Sequence, residues 1–344
     1  VSPTLDEHDL ALLHALQIAP RGNWVDLARV LGSTPTTLAS RWARLRSTGR
    51  AWVTVHPARR LTNVLVAFTE LDVEPSRRAE AVERLCADPR AITVEETAND
   101  CDLIVTSMVN DHDELTRFRL DVLPRIPGVQ RLNTSVATRV HWEGSRWRLD
   151  ALDATQQAEL HRITRRETNP APATVPDAYW PLIEGLTHDG RRSAADLARI
   201  TGRQEATVRR QLGKLLSTDL LAFRCEVAQI RSRWPLVCTW FVAVPQAELE
   251  RTVRSLTTLP ELRMCFSVAG TEQLVFQAMA HSPEDLMRLE RGFVEKLPWM
   301  TPVKSILTLR MPKRMGWILD EEGKSTGQVV VPSITHEFMP GTEA

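Results

Sequence analysis

Asp26-Leu27-Ala28-Arg29 recurs 170 positions later as Asp196-Leu197-Ala198-Arg199. The same offset aligns Leu12 with Leu182, Leu16 with Leu186, Arg21 with Arg191 and Gly32 with Gly202. It continues through Thr37 with Thr207, Leu45 with Leu215, and Ser47-Thr48 with Ser217-Thr218. Twelve of the 37 positions from Leu12 are identical without a gap, where chance gives roughly one in fifteen, so the recurrence is a true repeat. Further on, at an offset of 171, Pro89 matches Pro260, Met108 matches Met279, Leu115 matches Leu286 and Pro127 matches Pro298. The chain is therefore two copies of one two-part unit.

Each copy opens with three short helical patterns. Leu10, Leu13 and Leu16 form one apolar stripe, with Leu182, Ile183 and Leu186 as its counterpart. The second helix starts at Asn23 or Ser193, good N-caps with an Asp three residues later. It stops at Gly32 or Gly202, a tight turn that lets a third helix cross, as in helix-turn-helix units. The third helix is expected over 35–47 and 205–217. Leu38, Trp42 and Leu45 form its buried side, as do Val208, Leu212 and Leu215. Its other face carries Thr36, Thr37, Ser40, Arg41 and Arg44 in one copy, and Thr207, Arg209, Arg210, Gln211 and Lys214 in the other. With Ser33 and Thr34, and Arg203 and Gln204, at the preceding turns, these are the candidate DNA contacts. Hydroxyls bond phosphates, and arginine bonds phosphate or the guanine edge. A solvated basic face is the alternative reading.

The second part of each copy alternates strand, helix, strand, strand, helix, strand. In copy 1 these are 61–71, 75–86, 91–97, 103–109, 113–123 and 129–140; in copy 2, 236–244, 245–257, 262–268, 273–280, 283–297 and 303–310. That order is the split βαβ, ferredoxin-like pattern, whose open sheet face calls for a second sheet. The fold class is thus α+β: two repeats, each a winged-type helix-turn-helix followed by a ferredoxin-like βαββαβ domain. The expected domains are 1–56 and 57–150 for copy 1, a Pro-rich linker at 151–176, 177–230 and 231–319 for copy 2, and a tail at 320–344. Within the linker, 155–166 reads as a polar helical stretch and 169–176 as a stiff polyproline-like spacer.

Composition agrees with a globular chain of two or three domains: 344 residues, 43% apolar and 25% charged. No apolar run is long enough to span a bilayer. No signal peptide is evident, and five cysteines that never form CxxC argue against a disulfide framework and a zinc site. The chain reads as cytosolic, with no cofactor and no metal. Forty-three basic and forty-three acidic residues cancel overall. Locally, residues 21–60 carry eight arginines against Asp26 alone, and 191–233 carry nine arginines and Lys214 against four acids. Such local fields suit a polyanion.

At this point the sequence resembles the Lrp/AsnC, or feast/famine, regulators. Leu5-Asp6-Glu7-His8-Asp9-Leu10…Leu13…Leu16 is similar to that family's first helix. Asp26-Leu27-Ala28…Gly32-Ser33…Leu38…Arg41…Leu45…Gly49 is similar to its helix-turn-helix, and Asp189-Gly190-Arg191 to its turn before the second helix. The likeness covers almost the whole chain, twice, as in a fused tandem. It implies a transcriptional regulator that binds double-stranded DNA and a small-molecule effector, commonly an amino acid, and that forms a homo-oligomer. The family's effector loop lies between the second and third strands. The matching residues are Asn99, Asp100 and Asp102 in one copy and Gly270, Thr271, Glu272 and Gln273 in the other, where a turn receives a carboxylate and a side-chain carboxylate an ammonium. Both depart from the family's glycine-to-Asp motif, with Asn99 in place of Gly and Gln273 in place of Asp. Asn tolerates left-handed backbone fairly well, so the turn can survive with Asn99 in place of glycine. Asp219 stands where copy 1 has Gly49.

Two other classes remain open. Siroheme decarboxylases use the same two-part unit, including fused forms, but the nine histidines here are scattered and no pair repeats across the copies. An effector-binding protein that has lost DNA is the other. GxSxG, HExxH, GxxxxGK[ST] and GxGxxG are absent, so no enzyme activity is expected. Glu95-Glu96 and Asp111…Asp113 read as solvated or helix-dipole charges. Cys101 sits in a candidate loop without a basic activator.

Overall fold

The computed structural model describes residues 5–57, 64–164, 176–218, 220–228 and 234–336. The start of the strand expected from 61, the polyproline spacer up to 175, Asp219 and the tail from 337 lie outside them. Among the described residues, no helix is long and apolar enough to cross a membrane. The chain forms two compact units that interleave the repeats. One holds both helix-turn-helix heads with 148–228 and the segment from 324; the other holds Val64–Trp147 and Gln229–Gly323.

In the first unit, α1 (Glu7–Ile18), α2 (Trp24–Leu31) and α3 (Pro35–Ser47) form head 1, followed by strand β1 (Ala51–Pro57). Asn23 caps α2 by accepting the Asp26 N–H at 2.8 Å, and Ser193 caps its counterpart by accepting the Asp196 N–H at 3.0 Å. Gly32 and Gly202 end these helices at φ 62° and 65°, backbone that glycine adopts freely. Head 2 comprises α7 (Trp180–His188), α8 (Ala194–Thr201), α9 (Glu205–Leu216) and β6 (Leu221–Val227).

The wing of each head is a single strand, and the two strands pair with each other. β1 and β6 run antiparallel with Ala51 opposite Val227 and Pro57 opposite Leu221. Val55 of β1 joins Leu182, Leu186, Leu197, Leu212 and Leu215 in the core of head 2, so each head is completed by the other's strand. Two arginines lock the pair reciprocally. Arg21 donates to the carbonyls of Gly190 and Arg192 (3.0 Å to the latter), and Arg191 donates to those of Pro20 (2.6 Å) and Gly22 (2.9 Å). Arg191 also lies over Trp24, 4.1 Å from the ring centroid. Burial, with Arg21 beside it, pulls the Arg191 guanidinium down to about 10.

The helical stretch expected within the linker forms, and this region docks on head 1. Helix α6 (Ala154–Thr164) buries Leu160, the Leu149 N–H donates to Gln17 Oε1 (2.7 Å), and the Ala151 N–H donates to His14 Nδ1 (3.2 Å). On the other side, the Ser325 N–H donates to the Gly49 carbonyl (2.8 Å). Gly49 has φ +66°, and a Cβ there would collide with the Ser325 backbone.

The second unit is a closed ring of eight antiparallel strands. β2 (Leu65–Val73), β3 (Ala91–Thr97), β4 (Leu103–Val109) and β5 (Val129–Trp142) form the ferredoxin-like sheet of copy 1 in the order β3-β4-β2-β5. β7 (Leu236–Ala243), β8 (Leu262–Val268), β9 (Leu274–Ala280) and β10 (Thr301–Arg314) repeat it as β8-β9-β7-β10. β5 pairs with β8 and β10 with β3, which closes the ring. The two open faces meet inside it, where Phe68, Ile104, Phe241, Phe266, Val275 and Ile306 form a shared core. Helices α4 (Arg78–Ala87) and α5 (His112–Arg117), α10 (Leu249–Leu256) and α11 (Pro283–Lys296) cover the outer faces. The helix expected over 113–123 is shorter, continuing after Arg117 as a π-turn segment over Phe118–Val122.

Glu95 and Glu96 are not solvated: both are buried. Glu96 pairs with Arg78 (3.1 Å) and Arg310, while Glu95 accepts from Thr308 (2.9 Å) and Gln277 (3.1 Å). Burial raises the Glu95 pKa above its ordinary value, and its hydrogen bonds oppose the rise. Asp111 caps α5 through the Glu114 N–H at 2.7 Å. Cys101 is buried, and burial pushes its thiol up to about 11, which disfavours the thiolate.

The head clasp predicts that Arg21→Ala and Arg191→Ala each destabilise the first unit by about 2 kcal/mol, because each strips charged donors from two carbonyls. Urea unfolding of the variants checks this, with Arg191→Ala the larger effect. A second expectation concerns acid. Burial, then Arg148, pulls His14 down from 6.5 to about 4, so folding keeps its ring neutral. Stability from this group is complete above pH 6.5. It is lost as pH falls toward 4, by about 3 kcal/mol, because the unfolded chain takes up the proton first. Melting temperature against pH should therefore fall less steeply across that window in His14→Gln.

Candidate nucleic-acid interface and ligand loops

Helix α3 starts at Thr34, whose hydroxyl accepts the Thr37 N–H at 3.1 Å and lies 2.8 Å from the Thr37 hydroxyl. Thr34 and Thr37 thus shape the helix start as well as facing outward. Thr36, Ser40 and Arg44 are exposed, and Ser33 is half-buried at the turn. Arg41 does not project freely. It bonds both carboxylate oxygens of Asp6 (3.0 and 2.8 Å) and Asp9 at 2.9 Å, and Arg44 bonds the same Asp9 oxygen at 2.6 Å. Asp9 is buried, and Asp6 is the N-cap of α1 with its carboxylate half in solvent. These bonds, Asp6 first, raise the Arg41 pKa. A surface cleft of about 680 Å³ lies over this cluster, lined by Asp6, Asp9, Thr36, Thr37, Ser40, Arg41 and Arg44.

Helix α9 differs. Gln204 is its N-cap residue but makes no side-chain capping bond. Arg203 donates to the Ala178 carbonyl (2.5 Å), Arg209 pairs with Glu205, and Thr207 is half-buried. Arg210 and Lys214 are exposed and have no partner among the described residues. Among the described residues, much of the basic charge counted over the two head segments is paired within the protein. Arg46 pairs with Asp189 (3.1 Å), Arg199 with Asp196 (2.7 Å) and Arg224 with Glu226, while Arg21 and Arg191 form the head clasp. Composition cannot reveal this. The signal for the clasp was present, since Arg21 and Arg191 occupy one repeat position just before a helix cap.

The candidate effector loops of the second unit are built from reciprocal cross-copy stitches. The Ala98 N–H donates to Leu307 O and the Ala269 N–H to Val136 O, both at 3.0 Å. Asn99 is not the left-handed residue; Asp100 is, at φ 64°, while Gly270 has φ 137°. Asn99 instead holds β10, donating to Ser305 O (2.7 Å) and accepting the Leu307 N–H (3.2 Å). Asp102 accepts the Val73 N–H at 2.8 Å, and Gln273 accepts the Val244 N–H at the same distance. The two differ chemically but serve one backbone role, which explains how Gln replaces Asp there. Gln273 also closes its own turn, donating to the Gly270 (3.1 Å) and Thr271 (2.9 Å) carbonyls. Asn99, Asp100, Gly270 and Thr271 remain exposed, and Glu272 is half-buried. Beside Gln273 an open cleft of about 490 Å³ is lined by Ala243, Val244, Pro245, Gln246, Trp299 and Thr301. Trp299 is held there by a bond to Thr252 (2.9 Å) and by Arg251 over its ring, 4.2 Å from the centroid.

Residues 5–46 match the family model of the AsnC-type helix-turn-helix domain, and residues 66–147 that of the Lrp/AsnC ligand binding domain. An uncharacterized HTH-type transcriptional regulator of Pyrococcus furiosus is 30% identical over 139 residues, covering 40% of this chain and 93% of the relative. HTH-type transcriptional regulator FL11 of Pyrococcus horikoshii is 26% identical over 141 residues, with 40% and 93% covered. The chain belongs to the Lrp/AsnC family of transcriptional regulators and is roughly twice as long as these relatives. Among solved structures, the siroheme decarboxylase NirDL superposes with a TM-score of 0.56 at 14% identity, over 98% of this chain and 100% of that one. That likeness is one of fold.

The Asp102 geometry predicts that Asp102→Asn, which keeps an acceptor, leaves stability within about 1 kcal/mol, whereas Asp102→Ala costs roughly 1–3 kcal/mol by orphaning the Val73 N–H. Thermal denaturation of the two variants side by side checks it.

Proposed function

We propose that the chain is a two-headed, DNA-binding transcriptional regulator whose second unit responds to a small molecule, and that it is not an enzyme. The observation that carries this is the pairing of β1 with β6, reinforced by the reciprocal arginine clasp. It holds two helix-turn-helix heads in one unit, the arrangement by which paired recognition helices address two half-sites on a duplex. Exposed Thr36, Ser40 and Arg44 on one helix, and Arg210 and Lys214 on the other, supply phosphate and base contacts. Because the two faces differ, the operator has unlike half-sites. The effector belongs to the amino acids or related metabolites, and the cleft walled by Trp299 beside Gln273 has room for one. The cytoplasm is the compartment that fits such a role.

The second reading is a tetrapyrrole decarboxylase, favoured by the end-to-end likeness to NirDL, which was also solved with an iron-uroporphyrin III analogue. Fluorescence anisotropy against DNA from upstream of the protein's own gene separates the two. With about eight phosphates contacted, log affinity for the operator is expected to fall with log salt at a slope near −7. A shift in that curve with pooled amino acids would locate the effector class. Affinity no better than for random DNA, together with a Soret band shift on adding an iron porphyrin, would replace the regulator reading with the enzymatic one.

A further inference from the structure

The two heads carry their charge in opposite states. In head 1 the recognition-helix cations Arg41 and Arg44 are held by Asp6 and Asp9. In head 2 the positions equivalent to those two acids are Pro176 and Tyr179, which bear no charge, and Arg210 and Lys214 stand exposed. Asp9 is buried at 1% exposure and cannot leave without opening α1, but the Asp6 side chain is 52% exposed and sits at a helix start. Both its oxygens meet the Nη1 of Arg41 at the protein surface, where an anionic phosphate oxygen would compete for the same donor.

Building on the regulator reading, we propose that Asp6 is a built-in phosphate mimic, so that head 2 supplies the non-specific grip on DNA and head 1 joins only when a backbone phosphate displaces Asp6 from Arg41. The two binding modes then differ in electrostatics. On random DNA, Arg210 and Lys214 are the exposed cations of the two recognition helices without a partner among the described residues. On the operator, Arg41 exchanges one anion for another, while Thr36 and Ser40 come within reach of the duplex. The exchange sets a threshold: a site must offer head 1 enough good contacts to open the Asp6–Arg41 pair. Asp6 therefore acts on specificity, suppressing head 1 on sequences it does not fit.

The test is a salt series of anisotropy titrations on random and upstream DNA with the full chain. Its variants are Asp6→Asn, Arg210→Ala with Lys214→Ala, and Arg41→Ala. Asp6→Asn is expected to tighten random-DNA binding several-fold and steepen its log–log salt slope by about one, from roughly 0.9 per added phosphate contact. Its preference for upstream over random DNA should shrink correspondingly. The head 2 double variant is expected to flatten the random-DNA slope by about two, whereas Arg41→Ala weakens upstream binding more than random-DNA binding. Asp6→Asn with unaltered slope and preference, in a chain that binds DNA, overturns the mimic alone, as does an Arg41→Ala loss on random DNA equal to that of the head 2 variant. Absence of DNA binding by every protein overturns both this inference and the regulator reading. Near-identical melting curves for Asp6→Asn and the parent keep the affinity change from being a folding effect. If that variant melts early, Asp6→Ser, which retains an N-cap hydroxyl, serves in its place.

Discussion

The pairing of β1 with β6 is the constraint on which the first unit rests. A three-helix head of some fifty residues has little interior of its own, and domains of that size are marginal alone. Here each head borrows from the other: Val55 fills the core of head 2, and the strand of head 2 lies against α1. Arg21 and Arg191 then satisfy four turn carbonyls across the join. Because the same arginine serves at the same position in both copies, the pseudo-twofold relation is written into the hydrogen bonds themselves. A recognition helix can only be aimed if its head is rigid, and the borrowed strand provides that rigidity.

The second unit solves a related problem by closure. An open ferredoxin-like sheet leaves one apolar face and two strand edges unpaired, and both invite aggregation. Joining β5 to β8 and β10 to β3 removes those edges and buries both faces against each other around Phe68 and Phe266, whose rings meet edge-on at 5.2 Å. The loops between the second and third strands of each copy are tied to the last strand of the other. Anything that shifts one loop therefore pulls on a strand of the opposite copy. That is the kind of shared element through which a bound small molecule could bias a structure.

Much of this was legible in the sequence. The repeat, the caps at Asn23 and Ser193, the turns at Gly32 and Gly202 and the buried faces of α3 and α9 arise from local chemistry, and local chemistry is what a sequence displays. The strand-by-strand order of the ferredoxin-like halves was equally readable. What stayed hidden depends on partners distant in sequence. Arg21 and Arg191 read as part of a basic field until their carbonyl acceptors, about 170 residues away, are known. That Arg41 is paired within its own head stayed hidden because its acidic partners, Asp6 and Asp9, lie some 30 residues upstream. Glu95 and Glu96 read as solvated because nothing in a short strand tells which of its faces a second sheet will cover. That Asp100 rather than Asn99 takes the left-handed backbone was not readable, because Asn99 is held by the backbone of β10, some 200 residues away.

Asp102 and Gln273 illustrate a freedom that arises once a gene encodes both halves of its own assembly. Each accepts one backbone N–H, so at that position a carboxylate and an amide serve the frame alike. In a regulator assembled from identical subunits, every substitution appears on both sides of the symmetry axis at once and must be tolerated twice. A fused chain is released from that rule. One half can keep an ancestral chemistry while the other explores a new one, and neither is diluted by exchange with unmodified partners.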